Sequence, residues 1–507
     1  MADTWIDRLI PLPRPEYAKQ TESLLTDLIW RSKGSSLSES PTGRSYLAEL
    51  AGLGMERLVP QRARKGKYEA IMETMAGAED ADVSSVVSTP AGNESPVKPL
   101  LHSILAPRST GDLSLACVPV APDAAVLQTL HGLVNKKDPP NMANAIEQLG
   151  WLGGSDGDGH VAFLLLQALS VKAGARDGLA GLMDTLFPVV ARQAWDQLRS
   201  DTSTAGSLPD WRGAEPRPFT PVDSALLASY ELTPFKWFWR KWVTLCEPAN
   251  GWHNALPARR FVDWALCLLR TGLAFAYLWE AEFFIRLYDC LVDLDDAPAG
   301  AKANIAGLQS MLSEDLVLAT IESPLVPASQ KHAWPAMASL LARGYLAREQ
   351  FKDYLQANSF TVPAGKNFVE IVEEWVNGLG GAGVKTLAAP LLVRERTANN
   401  QKEFVRYLLR PRAHDDDTAD QADFYYLAQS NKANKFWFQP GPEWLVVVTS
   451  LLGKRPGGLC TLGMLLNDMR ALGIKVDRWV LVGMLEESGL STDSPDADDA
   501  IVIRASF

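Results

Sequence analysis

The sequence predicts a mainly α-helical protein built around one buried central helix. Apolar residues recur at helical spacing through most of the chain, whereas the alternating runs typical of strands are sparse. From about Phe261 to Leu291 the chain is apolar on nearly all sides, and a helix of that kind is surrounded by other helices. Six of the sixteen tryptophans lie between Phe235 and Tyr288. The aromatic residues expected to form the structural core are Trp237, Trp264, Trp279 and Phe283.

The bulk composition is that of a globular protein with several domains. A chain of 507 residues is too long for one ordinary core, and 47% hydrophobic with 21% charged residues excludes a disordered chain. The net charge of −11 disfavours a globally basic nucleic-acid-binding surface but leaves room for a local basic patch. Five scattered cysteines include no C-x-x-C pair of the kind that zinc domains need. We therefore expect free thiols in a reducing cytoplasm, no bound metal and no cofactor.

The N-terminus predicts neither a signal sequence nor membrane attachment. The first twenty residues have no basic segment followed by an apolar run. The central helix is interrupted by charged side chains, and its longest uncharged run, from Thr271 to Trp279, is shorter than the roughly 20 residues of a membrane span. These observations predict a cytoplasmic protein whose central helix belongs to a core.

The N-terminal 221 residues are expected to form helical segments separated by linkers. Residues 1–76 predict three short helices, and residues 77–111 have the Ser, Pro, Gly and acidic composition of a linker or mobile loop. Helical spacing returns over 112–200, and 201–221 is a second linker. The densest basic cluster, at residues 62–67, is expected to be a solvated loop because no aromatic residues interleave with it.

Residues 222–434 form the predicted Trp-rich helical core domain. Beyond the central helix, the apolar spacing predicts helices at 301–320, 333–345, 347–357, 367–378 and 400–410. No fixed repeat period is present, so a regular solenoid is not supported. The charged segment at 410–423 predicts an exposed loop.

The C-terminal residues 435–507 follow a defined plan. A short strand is expected at Phe436–Phe438, followed by three helices that end at Gly453, Gly473 and Gly489 in the manner of C-cap glycines. A polar loop between two short extended runs comes last. The order is therefore three helices and then a β-hairpin.

This order and spacing resembles a winged-helix domain of about 70 residues. DNA-binding members of that family place a basic helix in the major groove and often a basic wing on the backbone. The residues suited to phosphate contacts are Lys454, Arg455, Lys475 and Arg478, with the last two near the start of the third helix. The wing instead carries Asp493, Asp496, Asp498 and Asp499, which phosphates repel. The charges of this region therefore favour contact with protein over contact with DNA.

Two glycine-rich segments resemble ligand-binding loops and depart from them in detail. In 377–386, Val384 separates Gly383 from Lys385, and a helix precedes the segment where a phosphate loop needs a strand. A flexible helix–helix connection is expected there instead. The segment 155–160 lacks the glycine and glutamate that a calcium loop requires downstream, so it predicts a turn.

The charged residues around the central helix leave two interpretations open. Asp289 and Asp293 share a helix face that a divalent metal could use, but no further ligand is evident nearby. Arg259, Arg260 and Arg270 lie near the Trp-rich stretch, where structural salt bridges are the default and a ligand pocket is the alternative. No G-x-S-x-G elbow and no paired histidine spacing is present.

Three functional hypotheses follow. The favoured one is a non-enzymatic scaffold or adaptor subunit of a larger cytosolic assembly. The second is a DNA-associated accessory protein, since the anatomy resembles accessory subunits of bacterial restriction or phage-defence operons. The third is an enzyme whose site is assembled from Asp289, Asp293 and the arginine and tryptophan cluster. The oligomeric state stays open.

Overall fold

The computed structural model describes a mainly α-helical protein and confirms the predicted fold class. The described residues are 10, 12–15, 24–25, 28, 142–173, 217–218, 227–298, 300–313, 316–323, 325–327, 330–355, 365–379, 381–411, 423–430, 435–490 and 501–504. Among them 62% are helical. Several of the predicted segments lie outside the described residues. They are residues 77–111, the basic cluster at 62–67, the four wing aspartates, and nearly all of 1–76, 174–221 and 410–423.

The first half of the described chain contains the central helix and several of the elements that precede it. Its elements are α1 (Met142–Leu152), β1 (Gly157–Asp158), α2 (His160–Ala173), β2 (Arg217–Pro218), α3 (Pro234–Cys246), the short α4 (Trp252–Ala255) and α5 (Ala258–Asp295). Helix α3 begins where Thr233 accepts a hydrogen bond from the Lys236 amide at 3.2 Å, with Pro234 in the first turn. The segment 155–160, predicted to be a turn, connects α1 to α2. It includes the two-residue strand β1, which pairs with β2.

Helix α5 is the predicted central helix, and its 38 residues extend the predicted 261–291 at both ends. It packs against α1 and α3 and against helices that follow it in the chain. The helix is long and apolar enough to span a membrane, yet 94% of its most apolar 18-residue stretch is buried inside the protein. Trp237, Trp264 and Trp279 are fully buried, and Phe283 is 2% exposed.

The helices after α5 differ from the prediction at three places. They are α6 (Ala306–Ser310), α7 (Trp334–Leu355), α8 (Phe368–Gly378), α9 (Gly381–Leu387) and α10 (Asn399–Leu409). The helix predicted at 301–320 is wrong, because only α6 is helical and residues 319–321 form a strand with alternating burial. The two helices predicted at 333–345 and 347–357 are one helix, α7, since no proline or cap signal interrupts them. The flexible connection predicted at 377–386 is largely helical, with α8 ending at Gly378 and α9 starting at Gly381.

A small mixed sheet joins the C-terminal region to the body. Its strands are β3 (Ala319–Ile321), β4 (Ala428–Ser430), β5 (Phe436–Phe438, as predicted) and β7 (Ile474–Val476), in the order β4-β5-β3-β7. Strand β3 runs parallel to both neighbours, pairing Ile321 with Phe438 on one side and with Val476 on the other. A strand from the body therefore lies between two strands from the C-terminal region. The buried core is likewise continuous across the expected boundary at residue 434.

Candidate interaction surface in the C-terminal region

The three predicted C-terminal helices are present. The region consists of α11 (Pro442–Leu452), β6 (Leu459–Thr461), α12 (Leu462–Ala471), β7, α13 (Arg478–Glu487) and β8 (Val502–Arg504). Gly473 and Gly489 have left-handed φ angles of 72° and 69° at the ends of α12 and α13, as expected for such caps. At α11 the left-handed residue is Lys454, with φ 64°, rather than Gly453. Gly453 is instead required by close packing, since a Cβ there would lie 2.9 Å from the backbone of Gly458.

A buried ion pair holds this region against helix α3. Lys241 Nζ lies 2.7 Å from Asp468 Oδ2, and each side chain is 5% exposed. The indole N–H of Trp237 donates to the same carboxylate oxygen at 2.9 Å. Burial lowers the pKa of Lys241, and the Asp468 carboxylate opposes that shift. Because a buried charge that loses its partner is strongly destabilising, this pair fixes where α12 sits on the body.

The strand that follows α12 makes a second attachment. The amides of Leu318 and Ala319 donate to the carbonyl of Gly473 at 2.7 and 3.1 Å, and β7 then pairs with β3. Lys475 lies in this strand and is exposed, and the third helix begins at Arg478, close to both residues as predicted. Since only Asp477 separates β7 from α13, the sheet also fixes the start of α13.

Helix α13 buries one side and exposes a tryptophan on the other. Asp477 Oδ1 accepts hydrogen bonds from the amides of Trp479 at 2.9 Å and Val480 at 3.3 Å, which caps the helix. Leu481 and Leu485 are fully buried, whereas the Trp479 side chain is 69% exposed. Tryptophan is enriched at protein interfaces, because its large apolar ring also carries a polar N–H. The outer face of α13 is therefore the candidate interaction surface.

The four basic residues expected to contact nucleic acid lie on three different elements. Lys454 and Arg455 are exposed on the turn after α11, and the Lys454 carbonyl accepts a hydrogen bond from the Trp252 indole at 3.1 Å, which anchors that turn to α4. Lys475 is in β7, and Arg478 is the partly exposed first residue of α13. The sequence of α13, RWVLVGMLEE, otherwise contains none of the Arg, Lys, Asn or Gln side chains that commonly read base edges.

The arginines near the central helix make structural contacts with protein groups. Arg270 is 2% exposed and donates to Asp423 Oδ2 at 2.9 Å, to the Leu408 carbonyl at 2.9 Å and to the Arg410 carbonyl at 2.6 Å. The predicted i, i+4 pair of Glu282 and Arg286 is present at 2.7 Å. The remaining pairs are Arg259 with Asp263 at 3.0 Å, Arg260 with Glu443 at 3.6 Å, and Arg348 with Glu280 at 2.6 Å. The salt-bridge interpretation fits this geometry better than a ligand pocket does.

Asp289 and Asp293 lie exposed at the end of α5. Partial burial of its carboxyl group raises the pKa of Asp289, against the opposing effect of Arg343. Within the described residues no group of three His, Cys, Asp or Glu side chains is arranged to hold a metal ion. A cavity of about 290 Å³ between β3, β5 and α7 is lined mainly by apolar side chains, and neither aspartate lines it.

Sequence reasoning missed Trp479, although a local signal for it exists. The buried residues Leu481, Met484 and Leu485 define the inner side of α13, and a helical wheel places Trp479 opposite them. A tryptophan opposite the apolar stripe of a surface helix is the pattern that could have revealed it. Comparison with protein-family models, curated proteins and solved structures finds no match to this chain.

Proposed function

We propose that this chain is a non-enzymatic scaffold or adaptor subunit of a larger cytosolic assembly, and that it contacts a partner protein through the outer face of α13. The observation that carries the proposal is the 69% exposed side chain of Trp479 on a helix whose other side is fully buried. Tryptophan is among the residues most enriched at the energetic centres of protein interfaces. Its burial against a partner removes a large apolar surface from water.

The surface is also preorganised, which reduces the entropy lost on binding. The Asp477 cap, the Lys241–Asp468 ion pair and the pairing of β7 with β3 all restrain α13 without the partner. A partner therefore meets an indole that is already in place.

A winged-helix-like arrangement of the C-terminal region is part of the proposal. Its support is the order α11, β6, α12, α13, β8, with β6 antiparallel to β8 through the pair Leu459 and Arg504. Strand β7 departs from that plan, because it pairs with β3 of the body. The departure favours a helical surface built into the body over a separate DNA-reading module.

Site-specific cross-linking tests the protein contact. A photoreactive amino acid at position 479, introduced in the native cell, is expected to form an adduct with a discrete protein. The matched control is position 325, where Leu325 is 91% exposed on a different part of the surface. Equal adduct yields at the two positions, or none at 479, would refute the proposed contact.

The second function is DNA association through the exposed side chains of Lys454, Arg455 and Lys475 and the partly exposed Arg478. Glu486 and Glu487 are exposed at the end of α13 and disfavour phosphate, which is why this function ranks second. It would fit an accessory protein of a restriction or phage-defence system. Duplex affinity measured against salt decides the matter: a phosphate interface gives a steep slope that falls by about one for each basic residue replaced by alanine.

A further inference from the structure

The cavity of about 290 Å³ between β3, β5 and α7 takes its helical wall from the start of α7. The lining residues there are Ala333, Ala336, Met337 and Leu340, whose spacing of i, i+3, i+4 and i+7 places them on one helix face. Ala333 directly precedes α7, and its carbonyl accepts the Met337 amide at 3.1 Å. Two of the four are alanines, so this face leaves space that larger side chains would fill in a close-packed interior. The space is near the lower end of the roughly 300–1,000 Å³ of small-molecule pockets.

The register of the sheet brings a threonine and a tryptophan together at this cavity. Ile321 pairs with Phe438 in parallel strands, so Thr320 and Trp437, one residue back in each strand, are neighbours on one face of the sheet. Both line the cavity, and Thr320 is exposed. The indole N–H of Trp437 donates to Gln439 Oε1 at 3.0 Å. The polar group of the indole is therefore satisfied within the chain, and what it offers a ligand is its ring.

The polar lining of the cavity is negatively charged. Glu322 follows β3, is exposed, and forms no ion pair with any other described residue. His332 is held at the cavity because its Nδ1 accepts the Phe436 amide at 3.4 Å, which places the proton of a neutral imidazole on Nε2. Among the described residues that line the cavity there is no lysine or arginine. A carboxylate beside an indole ring favours a cationic ligand over an anionic one.

We propose that this cavity binds a small amine with an apolar body. Its ammonium group pairs with Glu322, and its body packs against Trp437, Met337 and Leu340. The site is separate from the Trp479 surface, so it goes beyond the adaptor function and does not rest on it. Because the cavity is small and half open, the expected dissociation constant for such a ligand is on the order of 0.1–1 mM.

Calorimetric titration of the full chain near neutral pH tests the charge preference with three probes of similar shape. They are 2-phenylethylamine, which is a cation, the neutral 2-phenylethanol, and the anion 3-phenylpropionate. We expect the amine to bind about tenfold more tightly than the carboxylate, with the alcohol between them, because one ligand is attracted by Glu322 and the other repelled. Glu322→Gln should weaken amine binding about threefold and remove most of the difference between amine and carboxylate. The matched control is Glu349→Gln, on an exposed residue of α7 that does not line the cavity.

Filling the cavity tests where the apolar body binds. Ala336 is exposed as well as lining the cavity, so Ala336→Phe occupies the space without displacing a core residue, and it should weaken all three probes about tenfold or more. Ser339→Phe, on an exposed residue of the same helix outside the cavity, is the control and should leave binding unchanged. Circular dichroism establishes that each variant is folded. A wild-type chain that does not bind the amine at about 10 mM, or amine binding that Glu322→Gln or Ala336→Phe leaves unchanged, overturns the inference.

Discussion

Lys241 and Asp468 form an ion pair of 2.7 Å in which both side chains are 95% removed from solvent. The lysine belongs to α3 and the aspartate to α12, so the pair joins the Trp-rich body to the C-terminal helices. The indole of Trp237 donates to the same oxygen, which leaves the carboxylate held from two directions by α3. This contact holds α12, the helix that precedes β7 and α13, against the body.

Asp468→Ala is expected to lower the free energy of unfolding by about 3–5 kcal/mol, because Lys241 is left buried and charged without a partner. Urea titration monitored by tryptophan fluorescence measures it. The double variant Lys241→Met, Asp468→Leu should lose clearly less, since no buried charge remains. The exposed pair of Arg240 and Glu231, at 2.6 Å, is the control, and Glu231→Ala should lose about 1 kcal/mol or less. Equal losses for Asp468→Ala and the double variant would contradict this account.

Arg270→Met is expected to destabilise the protein by a similar amount, about 3–5 kcal/mol. The substitution leaves the Asp423 carboxylate and the carbonyls of Leu408 and Arg410 without their donor inside the core. The control is Arg240→Ala, since Arg240 is 47% exposed and pairs with Glu231, which is 61% exposed. Its loss should be about 1 kcal/mol or less. Comparable losses for the two variants would show that Arg270 is not the structural residue inferred from its contacts.

Two helical glycines should respond to alanine with opposite signs. Gly344→Ala places a methyl group 2.4 Å from Ala281 Cα, so α7 must move away from α5, and we expect a loss of about 1–3 kcal/mol. Gly483→Ala meets no described atom and should stabilise α13 by about 0.5–1 kcal/mol. Urea midpoints compare the two variants. A loss at Gly483 would mean that its surroundings are more crowded than the structure indicates.

The folded protein should lose stability as the pH rises from 9 towards 11. Burial raises the pKa of the Cys290 thiol from 9.0 to about 11, with a further contribution from the carboxylates of Asp293 and Asp289. In that range the unfolded chain has released the thiol proton and the folded chain retains it, so the folded state binds more protons and ΔG of unfolding falls with pH. The stabilisation is complete below pH 9 and is lost as the pH passes the folded value.

Cys290→Ala isolates this effect from the other titrating groups. The decrease in ΔG of unfolding between pH 9 and pH 11 should be smaller in the variant by about 2 kcal/mol. This is somewhat less than the roughly 2.7 kcal/mol of a full two-unit pKa difference, because the thiol is half ionised in the unfolded chain at pH 9 and in the folded chain at pH 11. Urea titrations at the two pH values measure it. The hydrogen bond from Cys290 Sγ to the Asn304 carbonyl at 3.0 Å needs the thiol proton, so its loss on ionisation is part of the effect that the variant removes. Parallel pH profiles for variant and wild type would contradict the raised pKa.

Sequence reasoning succeeded where the signal is local and failed where it depends on pairing across the fold. Helix α8 begins at a capping box in which Asn367 and Glu370 satisfy each other's amides, and its predicted bounds of 367–378 match to one residue. Strand β3 has only three residues, and its place is set by β5 and β7, which lie more than 100 residues away. The spacing of apolar residues over 301–320 therefore resembled that of a helix. The Lys241–Asp468 pair was missed for the same reason, because no local pattern joins the two residues.

The sequence by itself determined that the protein is mainly helical, that its central helix is enclosed and that three helices follow the strand at Phe436–Phe438, because helical spacing and capping operate within a few residues of one another. Only the tertiary structure decided which charges are buried together and which strands of the body and the C-terminal region pair in the small sheet. It also decided that Trp479 faces outward on α13. Those outcomes depend on distances between residues far apart in the chain, and burial changes the energy of a charge or an indole only once the surrounding elements have packed.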